Sequence, residues 1–546
     1  MDAMFCFQCE QAANGSGCTT VGICGKQPEV AALQDLLVYG LKGLSFWAHQ
    51  ARLLGARDQA LNLLTVEGLF ATVTNVNFDP AELEALVRRC AVLRRRAREL
   101  FEKANGGPYF GPLPAAAKDG RLPQGREALV AAGGRQGVKD SSRDADLNSA
   151  RELLVYGCKG LAAYTDHAHI LGYDDACFYA FLHKALAATL DERLGLEDFI
   201  QLALECGRVN IDCMGMLNRA HMETYGAPEP TWVDLGSRAG KAILVSGHDL
   251  KMLEELLKQS AGKGITIYTH GEMLPAHGYP GLKKYSHLAG NYGGAWQDQV
   301  KELAQFPGAI IFNTNCIQRP AESYRGRLFT WGLVRWPGVN HVSGWDFSAV
   351  LAKALECPTL PEAPGQKILT GCGHSAVLGL AEPLLAAIRT GEIRHLFLIG
   401  GCDGAKPGRN YFAEFAEQAP KDTLILTLAC GKYRFNKGDF GRIGDIPRLL
   451  DVGQCNDAYS AIRIARELAA AMNCELNQLP LSLLLSWYEQ KAVAILLSLL
   501  HLGMRNIRLG PSLPAFLTPT LWNLLVDNYA LAPTGTARED LRQILG

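Results

Sequence analysis

The sequence predicts an α plus α/β chain: a helical N-terminal region of two similar bundles, followed by two doubly wound units built on parallel sheets. Three observations carry this. The 546 residues exceed one ordinary domain and leave room for about three or four at roughly 100–200 residues each. From about Leu33 to Thr231 apolar residues recur at helical spacing, with Gly or Asn at the breaks. Beyond Trp232 short apolar strands alternate with amphipathic helices, the pattern of parallel sheets.

The helical region contains an internal repeat. LLVYGLKGLSFWAHQARLLGARD (Leu36–Asp58) matches LLVYGCKGLAAYTDHAHILGYDD (Leu153–Asp175) at an offset of 117 residues, sharing Tyr39/Tyr156, Lys42/Lys159 and Gly55/Gly172 among others. Two similar bundles on either side of the Gly/Pro-rich stretch Ala104–Gly125 would produce it. In the first α/β unit Lys241–Gly247, Ile265–Gly271 and Gly308–Asn313 read as strands, with Asp249–Ser260 as a helix. In the second, Ile393–Gly401, Asp422–Ala429, Arg448–Gly453 and Asn506–Gly510 continue the series. The expected divisions are 1–232, 233–372 and 373–546, the last falling in the stretch Cys357–Gly373.

Charge excludes some partners. Lys and Arg number 54 against 55 Asp and Glu, so nothing suggests a nucleic-acid or membrane-surface binder. The most apolar stretch, Ala492–Gly503, is shorter than the roughly 20 residues of a membrane span and reads as a buried helix. The start, MDAMFCFQCE, has neither the basic nor the apolar segment of a secretory signal, and a cytoplasmic location is expected. Sixteen cysteines in such a chain point to metal or catalysis before disulfides.

Cys6, Cys9, Cys18 and Cys24 form C-x2-C-x8-C-x5-C, with glycines at 15, 17, 22 and 25 that permit tight turns. Four thiolates so close suit a tetrahedral or cubane centre. The spacing ranks an iron–sulfur cluster ahead of a structural zinc, and both ahead of two disulfides.

A second set follows the predicted strands, where open α/β sheets place their active sites. His248 stands in SGHDL, Glu272, His270 and His277 in THGEMLPAHGYP, and Cys316 in NTNCI. Cys402, Cys430 and Cys455 occupy the corresponding places of the second unit, and Glu489 and Lys491 open the apolar helix. Taken singly, a cysteine is more often a small buried hydrophobe, and a carboxylate at a helix start is favoured by the dipole. Their common placement, and a carboxylate entering so apolar a helix, favour a metal cluster of mixed ligation. Glu489 and Lys491 are two apart and face different ways on a regular helix, so either the helix starts irregularly there or Lys491 is not a ligand. Asp249 is the neighbouring candidate to orient a ligand histidine.

FCFQCEQ, SGHDL, YTHGEMLPAHGYP, GGCDGAKPGRNYF, LACGKYRFN, GQCNDAYSA and SWYEQKA closely resemble the hybrid cluster (prismane, hydroxylamine reductase) family, from Met4 to near the C-terminus. Met4 falls at the usual family start, so Met1–Ala3 read as an extension or an alternative start. The resemblance implies that Cys6, Cys9, Cys18 and Cys24 hold a [4Fe-4S] cluster, their gaps matching that form of the family and not the longer-gapped [2Fe-2S] form. It implies that His248, Glu272, Cys316, Cys402, Cys430, Cys455 and Glu489 ligate a hybrid [4Fe-2O-2S] cluster, with Cys402 as a persulfide and a lysine matching Lys491. It further implies two three-helix bundles and two Rossmann-like domains, with likeness to the carbon monoxide dehydrogenase catalytic subunit.

The expected activity is two-electron reduction of hydroxylamine to ammonia and water, with Glu489 at the reactive iron and Lys491 and His277 as proton donors, His270 being weaker. The same site would serve reduction of nitric oxide to nitrous oxide. A non-catalytic nitrosative-stress sensor or S-nitrosylation factor is the reading from another class, but the oxygen and nitrogen ligands favour an enzyme. GGCDG lacks G-x-G-x-x-G, so an external electron-donor protein is expected. The eight other cysteines (Cys90, Cys158, Cys177, Cys206, Cys213, Cys357, Cys372 and Cys474) read as packing residues.

Overall fold

The computed structural model describes residues 4–118, 120–138, 144–403 and 409–546. Met1–Ala3, and Gly404–Gly408 of the run after Cys402, lie outside the described residues. The helical region comprises α1 (Pro28–Leu53), α2 (Gln59–Ala71), α3 (Pro80–Asn105), the short α4 (Arg126–Gly133), α5 (Ala145–Ile170), α6 (Ala176–Ala188) and α7 (Leu196–Tyr225). The repeat is exact in element length: α1 and α5 have 26 residues each, α2 and α6 have 13 each. Asp58 and Asp175 cap α2 and α6 in the same way, accepting the N–H of Ala60 and of Cys177. The bundles interlock: α1 packs on α3 and α5 on α7, but α2 also packs on α5 and α6 on α1.

Two six-stranded parallel sheets follow. The first comprises β2 (Lys241–Ser246), β3 (Ile265–His270), β4 (Leu288–Asn291), β5 (Ala309–Phe312), β6 (Leu328–Trp331) and β7 (Asn340–Val342), in the order β4-β3-β2-β5-β6-β7. A two-stranded antiparallel ribbon, β1 (Thr231–Asp234) with β8 (Lys367–Thr370), flanks it. The second comprises β9 (His395–Gly401), β10 (Thr423–Leu428), β11 (Leu449–Gly453), β12 (Leu481–Ser486), β13 (Ile507–Gly510) and β14 (Ala532–Pro533), in the order β11-β10-β9-β12-β13-β14. Both orders are that of a doubly wound dinucleotide-type sheet, and both reverse direction at one point, between β2 and β5 and between β9 and β12.

The strands foreseen from the sequence are present; β4, β6, β7, β12 and β14 of the two sheets, and both strands of the β1–β8 ribbon, were not foreseen. β12 is the consequential one, because it is central and runs directly into Trp487–Glu489. Its sequence, LSLLLS, offers only the short apolar run Leu483–Leu485 and no regular alternation, a pattern compatible with a buried parallel strand but weak as a signal.

The helix after β12, α9 (Gln490–His501), lies in a groove between α5 and α7. Glycines let the backbones approach: a Cβ on Gly160 would sit 2.4 Å from the Gln490 carbonyl oxygen, and one on Gly207 2.1 Å from that of Leu497. The core of the helical region thereby continues through Leu497 and Leu500 of α9 to Leu483 of the second sheet. Among the described residues no helix is long and apolar enough to cross a membrane.

Candidate metal centres

The carboxyl ends of both sheets converge on one buried volume. His248 follows β2, Glu272 follows β3 and Cys316 follows β5, while Cys402, Cys430, Cys455 and Glu489 follow β9, β10, β11 and β12. The two switch points thus supply His248, Cys316, Cys402 and Glu489. The backbone turns sharply to deliver them. Gly247 and Gly401 precede His248 and Cys402 at φ +134 and +104, and a Cβ on either would lie 1.9 Å from a neighbour's oxygen. Ala429, before Cys430, and Cys316 itself hold φ 64 and 86 without being glycine. Each such residue costs of order 1–3 kcal/mol, strain that clusters at functional sites.

His248, Glu272 and Cys455 present donor atoms within 4.8 Å of one another. The imidazole Nδ1 is 2.8 Å from the Thr314 hydroxyl, and Lys491 Nζ donates to Nε2 at 3.0 Å. Nε2 therefore carries the lone pair that faces the site. Burial, Lys491 and His167 hold the ring well below the usual histidine range, so it is neutral. Glu272 accepts the Cys455 N–H at 2.9 Å through one oxygen, while its other oxygen is buried without a partner. Gln454 donates to the carbonyls of His248 and Glu272 at 3.0 and 2.7 Å, tying the two units across the site.

Glu489 lies outside α9 as its N-cap, with extended backbone, and its carboxylate accepts the Lys491 N–H at 2.7 Å. The helix starts after it, which is how residues two apart reach one site: Lys491 Nζ is 3.5 Å from Glu489 Oε1 and donates to Asn315 Oδ1 at 2.7 Å. Burial pulls the Lys491 ammonium down, but Cys455, Glu489, Cys316 and Cys402 outweigh it and hold the group above the usual lysine range.

The thiols form one electrostatic cluster. Burial raises Cys402, aided by the charges of Glu489, Cys455, Glu272 and Cys316. Cys430 is raised by its hydrogen bond with Cys316 and by burial. Burial pushes Cys455 up to about 12 against the pull of Lys491. Four soft donors, one imidazole and two carboxylates, with a buried carboxylate oxygen left unpaired, fit a cluster of mixed ligation.

The N-terminal cysteines meet in a second place. Cys6 and Cys18 exchange backbone hydrogen bonds at 3.1 and 2.8 Å. Burial raises Cys9, with Cys24 and Cys6 adding to it; burial also raises Cys24, with Cys6 and Cys18 adding and Lys26 opposing. Lys26 Nζ lies 3.8 Å from Cys6 Sγ. Such a set fits a metal cluster.

Tyr488 stands between the two sets. Burial raises its phenol, and the charges of Cys9, Cys24 and Cys316 all act on it. Its ring stacks on Trp296, centroids 4.0 Å apart, and its carbonyl accepts the Glu10 N–H.

Several of these residues were not foreseen: Thr314, Asn315, Gln454, Tyr488, Trp296 and Tyr164, whose phenol hydrogen-bonds Cys455. Thr314 and Asn315 are adjacent in sequence to Cys316, but nothing in a single sequence signals Tyr164. Asp249 does not orient His248. It accepts the Met252 N–H as N-cap of α8 (Leu250–Ser260) and lies 3.7 Å from His167. His277 is hydrogen-bonded to Thr269 at 2.9 Å and burial lowers it to about 4. His270 bonds Ser246 and Glu302 at 3.0 and 3.1 Å.

Comparison with known proteins places the chain in a family. A family model described as Prismane/CO dehydrogenase family matches residues 4–542. The chain is 62% identical over 550 residues to a protein named hydroxylamine reductase of Geobacter sulfurreducens, covering 100% of each. It is 54% identical to one of the same name from Syntrophobacter fumaroxidans, again over 100% of each. Among solved structures it is similar to carbon monoxide dehydrogenase of Thermococcus sp. AM4, with TM-score 0.56 and 18% identity over 99% of this chain and 90% of that one. Carbon monoxide dehydrogenase IV of Carboxydothermus hydrogenoformans matches with TM-score 0.56 and 16% identity over 99% and 92%. These structural likenesses concern the fold. With its family model spanning nearly the whole chain and relatives above half identity over their full length, this chain belongs to the Prismane/CO dehydrogenase family.

Proposed function

We propose that this chain is a cytoplasmic iron–sulfur oxidoreductase that reduces hydroxylamine: NH2OH + 2 H+ + 2 e− → NH3 + H2O. The observation that carries the reading is the convergence of thiols, imidazole and carboxylates from both sheets around a buried lysine, in a chain similar over its whole length to proteins named hydroxylamine reductase.

In this reading Cys6, Cys9, Cys18 and Cys24 hold a [4Fe-4S] cluster. His248, Glu272, Cys316, Cys402, Cys430, Cys455 and Glu489 hold a hybrid [4Fe-2O-2S] cluster, with Cys402 as a persulfide. Such a centre, when bound, supplies electrons and a Lewis-acidic iron that polarises the N–O bond. Lys491 holds a proton at Nζ, aimed into the site by Asn315 and Glu489. His277 is the second candidate for proton transfer; burial lowers it to about 4 and leaves its ring neutral, so it would act as a relay that takes up a proton at one nitrogen before passing one on, not as a standing acid. Trp296 and Tyr488 wall the site with stacked rings and keep bulk water from it. An external electron-donor protein supplies the reducing equivalents.

The test is anaerobic purification with iron and sulfide analysis, followed by hydroxylamine turnover with a reduced viologen dye. Glu489→Gln removes a charged donor at constant shape. It is expected to cost at least tenfold in turnover and to alter the electron paramagnetic resonance (EPR) signature of one cluster, leaving that of the N-terminal cluster intact. Survival of both signatures and of turnover would overturn the assignment.

A further inference from the structure

The internal repeat brings its duplicated polar residues to a single place that the reaction site does not use. A cavity of about 540 Å³ lies between α1, α5 and the N-terminal loop, with Cys6 and Lys26 on its wall. Asp35 and Glu152, Tyr39 and Tyr156, Lys42 and Lys159 are repeat mates, each pair 117 positions apart, and all six line it. Arg135, just past α4, lines it as well. At about 30 Å³ of liquid per molecule the space holds several waters among polar groups.

The cavity connects to the cysteine loop. Lys159 Nζ donates to Gln8 Oε1 at 2.9 Å, and Gln8 lies between Cys6 and Cys9 in the chain. Glu152 hydrogen-bonds the Tyr156 phenol. Lys26, Glu152, Tyr156 and Lys159 are all buried and line the cavity, and Lys26 Nζ lies 3.8 Å from Cys6 Sγ.

Two groups here are poised near neutrality. Burial, aided by Glu152, pushes the Asp35 carboxyl up to about 7 against the pull of Lys26, Lys159 and Lys42. Burial and Lys26 bring the Lys159 ammonium down to about 8 against Glu152, Asp35 and Cys6. Cys6 is the one candidate ligand on the wall; its charge acts on Lys159, and it shares Lys26 with Asp35, so negative charge added at its cluster reaches Lys159 directly and Asp35 through Lys26.

We propose that this cavity is a proton-loading site, in which one-electron reduction of the cluster held by Cys6, Cys9, Cys18 and Cys24 draws a proton from solvent onto Asp35 and its partners. The step balances: the external donor supplies the electron and solvent the proton, an O–H bond forms on the Asp35 carboxylate, and the net charge of cavity plus cluster is unchanged. It rests on the reading of those four cysteines as a redox cluster.

The experiment is a potentiometric titration of the whole protein, following the EPR signal of the N-terminal cluster between about pH 6 and 9. Linkage sets the sign: once Asp35 is ionised in the oxidised state, above about pH 7, raising the pH removes the proton that favours reduction, and the potential falls. One proton per electron gives a tenfold change in equilibrium per pH unit, about 59 mV for a one-electron couple, and the slope is expected to approach this. Asp35→Asn is expected to flatten it near neutrality. Lys42→Gln, at a less buried wall position, removes a charge that lowers Asp35 and is expected to move the sloping window to higher pH. A pH-independent potential in the unmodified protein, or an unchanged slope in Asp35→Asn and an unmoved window in Lys42→Gln, would overturn the inference while leaving the cluster reading in place. Absence of any EPR signal lost on Cys24→Ser would overturn both.

Discussion

Thr314 sets the chemistry of His248 without touching a reactant. Its hydroxyl, 2.8 Å from Nδ1, leaves the Nε2 lone pair for the site, where Lys491 now donates to it. Thr314→Val keeps the shape and removes the hydroxyl. Loss of such an orienting partner typically costs 10–100-fold in metal affinity or activity. Iron content and turnover are expected to fall within that range, and Thr314→Ser to restore them; equal behaviour of the two variants would show the contact to be packing alone. His248 was legible in the sequence because SGHDL follows an obvious strand. The role of Thr314 was not, because it depends on the register of β2 against β5, in which Ser246 pairs with Phe312 and brings two distant loops together. Asp249 illustrates the same limit. Adjacent in sequence to His248, it is used by the backbone of the following helix.

At the scale of elements, α9 is the piece whose placement decides the site, since its N-cap is Glu489 and its first turn carries Lys491. Its apolar composition announced burial, but which surfaces would bury it lay in glycines of the helical region. At Gly207 a Cβ would meet the Leu497 carbonyl oxygen at 2.1 Å and the Ser498 nitrogen at 2.8 Å, both backbone atoms that yield only if the helix moves. Gly207→Ala is expected to cost about 1–3 kcal/mol through overpacking and to lower the urea midpoint. It should also displace Glu489 and Lys491, reducing iron loading at the mixed set while the N-terminal set stays full. Gly107→Ala, where a Cβ would meet nothing within 4 Å, is the control and should leave the midpoint unchanged. The repeat itself was fully legible, since 117-residue spacing recurs in helix lengths and caps alike. The interlocking of the bundles was not, because the periodicity of α2 and α6 shows that they bury a face and not which partner covers it.

Over the whole molecule, the seven candidate ligands are drawn from both sheets, three following strands of the first and four following strands of the second. Polypeptide contacts already cross the site through Gln454, and through the Tyr433 hydroxyl donating to the Gly271 carbonyl at 2.7 Å. Metal would add a cross-link that the unfolded chain lacks, so its removal by anaerobic chelation should lower the urea midpoint. Alkaline pH separates ligand cysteines from packing ones. Burial holds Cys90, Cys213 and Cys372 up at about 12, as it does Cys455 without metal. A thiol raised on folding contributes stability that is complete below its unfolded value near 9. That stability is lost as pH rises toward its folded value, at about 1.4 kcal/mol per unit per thiol. The packing cysteines make this contribution whether or not metal is bound, whereas a ligand cysteine is already a thiolate in the loaded protein and makes none. The urea midpoint of metal-free protein should therefore fall more steeply between about pH 9 and 11 than that of loaded protein, the excess slope scaling with the number of ligand thiols. Parallel curves would show that the buried cysteines of both sheets titrate as ordinary packing thiols, and would remove Cys402, Cys430 and Cys455 from the ligand set.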